Sequence, residues 1–431
     1  MGARPGLGRT AFIINQYAKT PATGASNRHY ALARELAARG HDVTVVAAAF
    51  DHLIARPVPM DARFRIEEQE GGFRFLWVRV PPFSGAQSAG RIRAWFSFAR
   101  ALPRLDRVLG RRADTVLVSS PSLIAWLGAW RLARRMRARL VFEVRDIWPL
   151  SLVEIGSLST GHPFIRFLQW IEDRAYRHSH AVVSNLRGSV DHMVSRGLDR
   201  ARFTWVPNGH STGRATGRPA ALPDDVADRL PDRPFLVGYT GTVGVANALG
   251  TVLDAAGLLR DDARIGFVIV GSGAEREALR ARAQAEGLDN VAFLDPIPKE
   301  QIPAMLARFQ ACYIGLQNQS VFRFGVSPNK LFDYMCAGRP IIYGIDSGSY
   351  RPVSEAGAGV EVGPEDGAAL ADAARRLADL PLEERERMGQ NALKAAEAYD
   401  YRTLAATLEG VLFPCDAAAR ERASSPEQAM P

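Results

Sequence analysis

Two series of short apolar runs, each ending in a turn rich in glycine or charge, restrict the fold of this chain more than any other feature. The first series opens with "TAFIIN" (10–15), a Gly-bearing loop, the helical pattern "RHYALARELAARG" and then "HDVTVVAAA" (41–49). Strand, loop, helix and strand in that order make a βαβ unit of a parallel sheet. "FRFLWVRV", "TVLVSS", "RLVFEVRD", "HAVVSN" and "FTWVPNG" continue the series to residue 209. A stretch rich in Gly, Pro and charge interrupts it. "FLVGYTG" (235–241) and "RIGFVIVGSG" (264–273) then begin a second series, followed by "VAFLDPI", "ACYIGL" and "RPIIYGI" with helical patterns between them. The pattern predicts an α/β chain of two doubly wound, Rossmann-like domains facing across a cleft. The expected boundaries are a first domain over 1–212, a linker over 213–234 and a second domain over 235–395. A last helix over 396–413 is expected to pack back on the first domain, and 414–431 reads as a disordered tail. In such sheets ligands bind beyond the carboxyl ends of the strands.

A helix start in the second series carries its charge the wrong way round. In "GVSPNKLFDYMCAG" (325–338), Ser327 suits an N-cap and Pro328 the first helical position. The positive end of the macrodipole favours acids there, yet the first turn holds Lys330 and no acid before Asp333. An anion bound at the free N–H groups would account for this. At about 4 Å from a phosphate oxygen, Lys330 gains roughly 4 kcal/mol at an effective dielectric near 20. That outweighs a dipole penalty of roughly 0.3–1 kcal/mol. Asp333, one turn on, could accept two hydroxyl hydrogen bonds from a ribose.

Other turns suit phosphate. Gly24 lies in the loop after the first strand, where Arg28 and His29 also put positive charge at a helix start. Gly241 and the pair Gly271 and Gly273 end strands of the second series. None of these makes the G-x-G-x-x-G fingerprint. "EVRDIWPLS" places Glu143, Arg145, Asp146 and Trp148 at a strand end, a density of charge that lines a cleft or forms an internal ion pair such as Arg145–Asp146.

The net charge is +8, which favours anionic partners. "RIRAWFSFARALPRLDRVLGRR" (91–112) holds seven Arg and one acid around Trp95, Phe96 and Phe98, and "RLARRMRAR" (131–139) adds five Arg. Cations interleaved with aromatics suit an anionic bilayer surface. No nucleic-acid motif accompanies them, so no nucleic-acid partner is expected. No apolar run is long enough to span a membrane, and the first twenty residues lack the apolar core of a secretory signal. The three cysteines, Cys312, Cys336 and Cys415, show no pairing or metal spacing and are expected as buried thiols in a reducing compartment.

On "INQYAKTPATGASNRHYALARELAARGHDVTVV", "EVRDIWPLSLVEIG", "VPNG", "GSGAEREAL" and "SPNKLFDYMCAGRPII", nearly the whole chain resembles the retaining, nucleotide-sugar-dependent glycosyltransferases of family four, which have the GT-B fold. It is most similar to the fucosamine transferase-like enzymes of bacterial surface-polysaccharide synthesis. The resemblance implies a nucleotide-sugar donor, with UDP-sugar favoured, and no metal or other cofactor. It implies a glycan or polyprenyl-diphosphate-linked acceptor, and a cytoplasmic enzyme peripheral on the inner face of the membrane. Gly24, Gly241, Arg323, Ser327 and Lys330 would hold the donor diphosphate, and Asp333 the ribose. Gly271, Gly273 and Ile297 would lie in the nucleotide-binding loops. Arg145, Asp146 and Lys330 would be catalytic, with Arg145 facing the donor sugar. Two departures stand out. The first Glu of the family's E-x7-E motif falls on Gly325, and the usual Arg and Lys after the first strand of the second domain are missing from "GTVGVANAL". A nucleotide-sugar epimerase of the same fold and a non-catalytic sugar-nucleotide-binding subunit are the alternatives.

Overall fold

The computed structural model describes residues 8–24, 28–51, 58–85, 88–156, 158–211 and 220–414. Residues 213–219 of the expected linker, 415–431 of the expected tail, and Cys415 lie outside the described residues.

The first series, joined by one strand it did not include, β3, forms one sheet of eight strands: β1 (Thr10–Ile14), β2 (Asp42–Ala48), β3 (Phe64–Gln69), β4 (Phe73–Val78), β5 (Thr115–Ser119), β6 (Arg139–Val144), β7 (Ala181–Ser184) and β8 (Phe203–Trp205). Their order is β3-β4-β2-β1-β5-β6-β7-β8. Every pairing is parallel except β3–β4. The second series, joined by one strand it did not include, β14, forms a parallel sheet from β9 (Phe235–Thr240), β10 (Ile265–Val270), β11 (Val291–Leu294), β12 (Ala311–Gly315), β13 (Ile341–Gly344) and β14 (Gly359–Glu361), ordered β11-β10-β9-β12-β13-β14. β1, β5, β9, β10 and β12 are buried along nearly their whole length, as β-branched and apolar runs require when helices cover both faces of a sheet. The strand order reverses between β1 and β5 in one sheet and between β9 and β12 in the other. These switch points open the crevices where such folds bind ligands.

Each sheet has an apolar cluster on each face. One cluster of the first sheet joins Ile13, Val45 and Val183 to Tyr401, Leu404, Leu408 and Leu412. The last helix, Tyr401–Leu412, therefore packs on the first domain, where Thr115 Oγ1 donates to the Leu412 carbonyl at 2.6 Å. Leu222, Val226 and Leu230, from the second half of the expected linker, pack instead on the second domain. Cys312 is buried but Cys336 is exposed, contrary to expectation, because it ends its helix on the outward side.

Polar contacts join the domains. Arg323 makes a two-pronged ion pair with Glu154, 2.8 Å on each arm. Arg187 pairs with Glu355 at 2.7 Å. Asn208 donates from its backbone N–H to Ser327 Oγ at 2.8 Å and from its side-chain amide to the Ser327 carbonyl at 2.7 Å.

Candidate active site

The eight-residue helix Asn329–Cys336 follows β12 into the second crevice and has no acid in its first turn. It starts one residue later than Ser327 as N-cap suggests. Pro328 takes the cap position without a side-chain bond, because the Ser327 hydroxyl is occupied by Asn208 of the first domain. Tyr334, fully buried on the same helix, accepts from the Thr240 N–H at 2.9 Å and ties the helix to the end of β9. That places Lys330 on the Gly241 turn. A Cβ at Gly241, whose φ is +138°, would overlap the Lys330 side chain.

Lys330 is half-buried. Its Nζ donates to Asn247 Oδ1 at 2.8 Å and lies 4.8 Å from the centre of the Tyr239 ring. It has no carboxylate partner among the described residues. Burial lowers its pKa to about 8. A cation held without a counter-ion at a helix start is a receptor for an anion. The floor of the crevice is backbone. Gly271 and Gly273 have positive φ, and a Cβ on either would overlap the carbonyls of Gly241 and Val243. The two glycine turns thus lie one on the other, which only glycine permits here.

Asp333 is half-buried on the same helix, and burial raises its pKa, against the opposing pull of Lys299 and His210. Lys299 belongs to the loop after β11, where Ile297 packs on the apolar cluster. Asp333 and the Ile297 loop therefore stand together. Gly325, in the place of the motif's first Glu, has φ +93°, and a Cβ there would come 3.2 Å from the Arg187 N–H nitrogen. A side chain at that position would be strained and would press on the first domain.

Across the cleft, the ends of β1 and β6 hold a closed charge cluster. Glu143, fully buried, accepts from Arg28 Nε at 3.0 Å and meets His29 Nε2 at 2.6 Å. Burial pushes the Glu143 carboxyl up, but Arg28 and His29 outweigh it and hold it well below the usual range. Burial lowers the His29 pKa despite Glu143. Arg28 also donates to the carbonyls of Val206 and Pro207. The sequence places Arg28 and His29 to meet an outside anion; the structure gives them an internal one.

Arg145 and Asp146 follow β6, and of the two readings the sequence left open the internal ion pair between them is not formed. Asp146 accepts from Trp148 Nε1 at 3.1 Å and from Ser151 Oγ at 2.8 Å. The Arg145 backbone is fixed by Ser120 Oγ, while its Nε is buried with no hydrogen-bond partner. Gly24 closes the loop after β1, and a Cβ there would overlap the Lys19 side chain, which pairs with Asp51 at 3.5 Å. Arg323, expected as a phosphate clamp, is instead committed to Glu154. Its guanidinium is held by a carboxylate from the other domain.

The cleft thus brings Lys330 together with Gly241, Gly271 and Gly273, and Asp333 with the Ile297 loop, and it removes Arg323. The sequence reading passed over Asn208, Asn247, Tyr239 and Lys19. All four lie in quoted stretches, Lys19 in "INQYAKTPATG", Asn208 in "VPNG", Tyr239 in "FLVGYTG" and Asn247 in "GTVGVANAL", but none was given a role.

The profile described as "Glycosyl transferase 4-like domain" matches residues 23–209, and that described as "Glycosyl transferases group 1" matches residues 224–395. Between them they leave out only the two ends and a short stretch between the domains. The chain belongs to the family-four glycosyltransferases. WcaI of Escherichia coli (strain K12), assigned to colanic acid biosynthesis as a glycosyl transferase, is 25% identical to this glycosyltransferase over 310 residues, 70% of this chain and 75% of its own. Among solved structures, trehalose 6-phosphate synthase from Burkholderia multivorans overlays with a TM-score of 0.71 at 14% identity, over 98% of this chain and 100% of its own. Sucrose-phosphate synthase from Thermosynechococcus elongatus gives 0.68 at 17%, over 97% and 100%. Anabaena HepE in complex with UDP-glucose gives 0.61 at 15%, over 94% and 99%. These likenesses establish the GT-B fold.

Proposed function

We propose that this glycosyltransferase moves a hexosyl or N-acetylhexosaminyl group from a UDP-sugar, with retention and without a metal, to a glycan or polyprenyl-diphosphate-linked acceptor. The setting is bacterial surface-polysaccharide synthesis at the inner face of the cytoplasmic membrane. The observation that carries the reading is Lys330: a half-buried cation without a carboxylate partner among the described residues, at a helix start, above a floor of glycine backbone. A nucleoside diphosphate fits that description as a ligand. WcaI, through its assignment to colanic acid, supports the polysaccharide setting, and HepE supports UDP.

Negative charge grows on the diphosphate as the glycosidic bond breaks. A fixed cation and free N–H groups stabilise that charge more than they stabilise the ground state. Lys330 and the first N–H groups of helix Asn329–Cys336 take this role. The Ser327 hydroxyl, which accepts from Asn208, keeps its own proton to donate to the diphosphate. Asp333 receives the ribose hydroxyls. Arg145, at the end of β6 with its backbone fixed by Ser120, meets the donor sugar from the first domain. Neither nearby carboxylate suits a double displacement: Glu143 is sealed in its cluster, and Asp146 is held by Trp148 and Ser151. Attack on the same face as the leaving group, with the donor phosphate taking the acceptor proton, needs no protein nucleophile.

Thermal melting with UDP, GDP, ADP and CMP tests the donor site. A ligand at 100 times its Kd adds about 2.7 kcal/mol. A shift with UDP alone is expected, unchanged by EDTA. No shift with any nucleotide would remove the donor site. Incubation with donor alone must leave the sugar intact, since an interconverted sugar would mean an epimerase.

A further inference from the structure

The first Arg-rich segment does not present its aromatics as its sequence suggests. Helix Ala89–Ala101 turns Trp95 and Phe98 into the core and leaves Phe96 41% exposed. Phe96 is not isolated. It stacks on Phe167 of helix Pro163–His178 at 6.3 Å, and Phe167 stacks on Trp170 at 6.1 Å. Trp170 is 46% exposed. An inner row lies beside this outer one: Phe164 stacks on Trp95 at 6.3 Å, and Trp95 meets the edge of Trp148 at 5.5 Å. The aromatic strip therefore runs from open surface to the turn that carries Arg145.

The charge around the strip has one sign. Arg93, Arg100, Arg166 and Arg177 are exposed on the same two helices and have no carboxylate partner among the described residues. Arg174 lies over the Trp170 ring at 4.6 Å. Both acids of these helices are taken up: Glu172 is buried against Tyr176 at 2.8 Å, and the half-buried Asp173 is held by Arg196 through two bonds of 2.8 Å. Exposed stacked rings edged only by arginine match a layer that is anionic at its surface and apolar beneath. A second copy of the chain would bring the same cations face to face across a two-fold axis, which like charge opposes.

We propose that the strip Phe96–Phe167–Trp170 is the surface on which this enzyme meets an anionic phospholipid bilayer, with Trp170 and Phe96 entering the headgroup layer. The proposal narrows the membrane setting suggested under the proposed function, which it rests on, to one face. It sets aside residues 131–139, whose cations flank no exposed ring of this strip. No described helix is long and apolar enough to cross a membrane. An acceptor diphosphate at headgroup level would then stand at the outer end of an aromatic row whose inner end, Trp148, adjoins Arg145.

Co-sedimentation with vesicles of phosphatidylglycerol and phosphatidylcholine at 0.15 M salt tests this. The wild type should bind phosphatidylglycerol vesicles and not pure phosphatidylcholine. The double variant Phe96→Ser, Trp170→Ala should lose at least tenfold in vesicle affinity while keeping its melting temperature and UDP affinity. Arg93→Glu with Arg166→Glu should lose as much. Arg131→Glu with Arg134→Glu should change it less than threefold. Brominated lipid should quench the wild type more than Trp170→Phe. The proposal is overturned if the aromatic variant binds vesicles as the wild type does, or if the 131/134 pair loses as much. Equally, a wild-type dimer broken by Phe96→Ser, Trp170→Ala would assign the strip to a second copy. UDP binding is read on the same samples, so a failed donor site with intact vesicle binding refutes the functional reading alone.

Discussion

At the carboxyl edge of the first sheet, Glu143 is shut away from water and held by Arg28 and His29. At the same edge of the second sheet, Lys330 finds the Asn247 amide and the Tyr239 ring, and no carboxylate among the described residues. Both charges lose hydration. The first recovers it from partners inside the protein, and its pKa moves so as to keep the charge. The second does not, and its pKa moves so as to give the charge up. A buried charge with its partners built in is framework; a buried charge without them is waiting for a ligand.

Breaking the first cluster has the largest expected effect. Glu143→Ala leaves Arg28 with one carboxylate fewer in a dry site and should destabilise the first domain by about 3–5 kcal/mol, read by urea unfolding. The sign with pH follows from the depressed Glu143 pKa. Its stabilisation is present above the ordinary carboxyl value of 4.5 and fades as pH falls toward the folded value. A variant as stable as the wild type would erase the contrast.

Lys330→Met should do the opposite. It should cost roughly 10²–10³ in kcat/KM, as the loss of one preorganised group facing transition-state charge does. Yet the empty protein should melt no earlier than the wild type, because it sheds a cation that burial disfavours. If melting falls instead, Lys330 is structural.

Raising the pH sharpens the same point. Lys330 is charged below about 8 and neutral above. UDP affinity should therefore fall about tenfold between pH 7 and 9, and the Lys330→Met variant should lack that slope. Asp333→Asn is the finest test. It should weaken UDP by roughly fivefold through a poorer acceptor, with pyrophosphate affinity unchanged. Equal losses for both ligands would take Asp333 off the ribose.

Since backbone pairing answers to local pattern, the alternation of apolar runs and glycine turns made both sheets readable except at one edge of each, where the half-exposed strands β3 and β14 carry no apolar run and were passed over. The reversed charge at Lys330 was readable for a similar reason: a helix start judges its own first turn. The partners of Arg28, His29 and Arg323 were not. Glu143 lies more than a hundred residues from Arg28, and Glu154 lies in a different domain from Arg323. A cation near a glycine turn looks the same in sequence whether its anion is a cofactor, a substrate or a distant side chain. Phe96 differs from its neighbours Trp95 and Phe98 only in helical phase, and phase acquires meaning once it is known which face meets the sheet. Gly325 looked like a lost carboxylate; its φ and the closeness of Arg187 show a backbone requirement instead.

The crossing of the last helix back to the first domain has a consequence for birth on the ribosome. Tyr401, Leu404, Leu408 and Leu412 complete an apolar face whose other members, Ile13 and Val45, are made first. At roughly 5–20 residues per second, the first sheet emerges many seconds before its cover is synthesised. Until that helix is made, the nascent chain carries a greasy, uncovered wall, and it is there that a chaperone would find its hold.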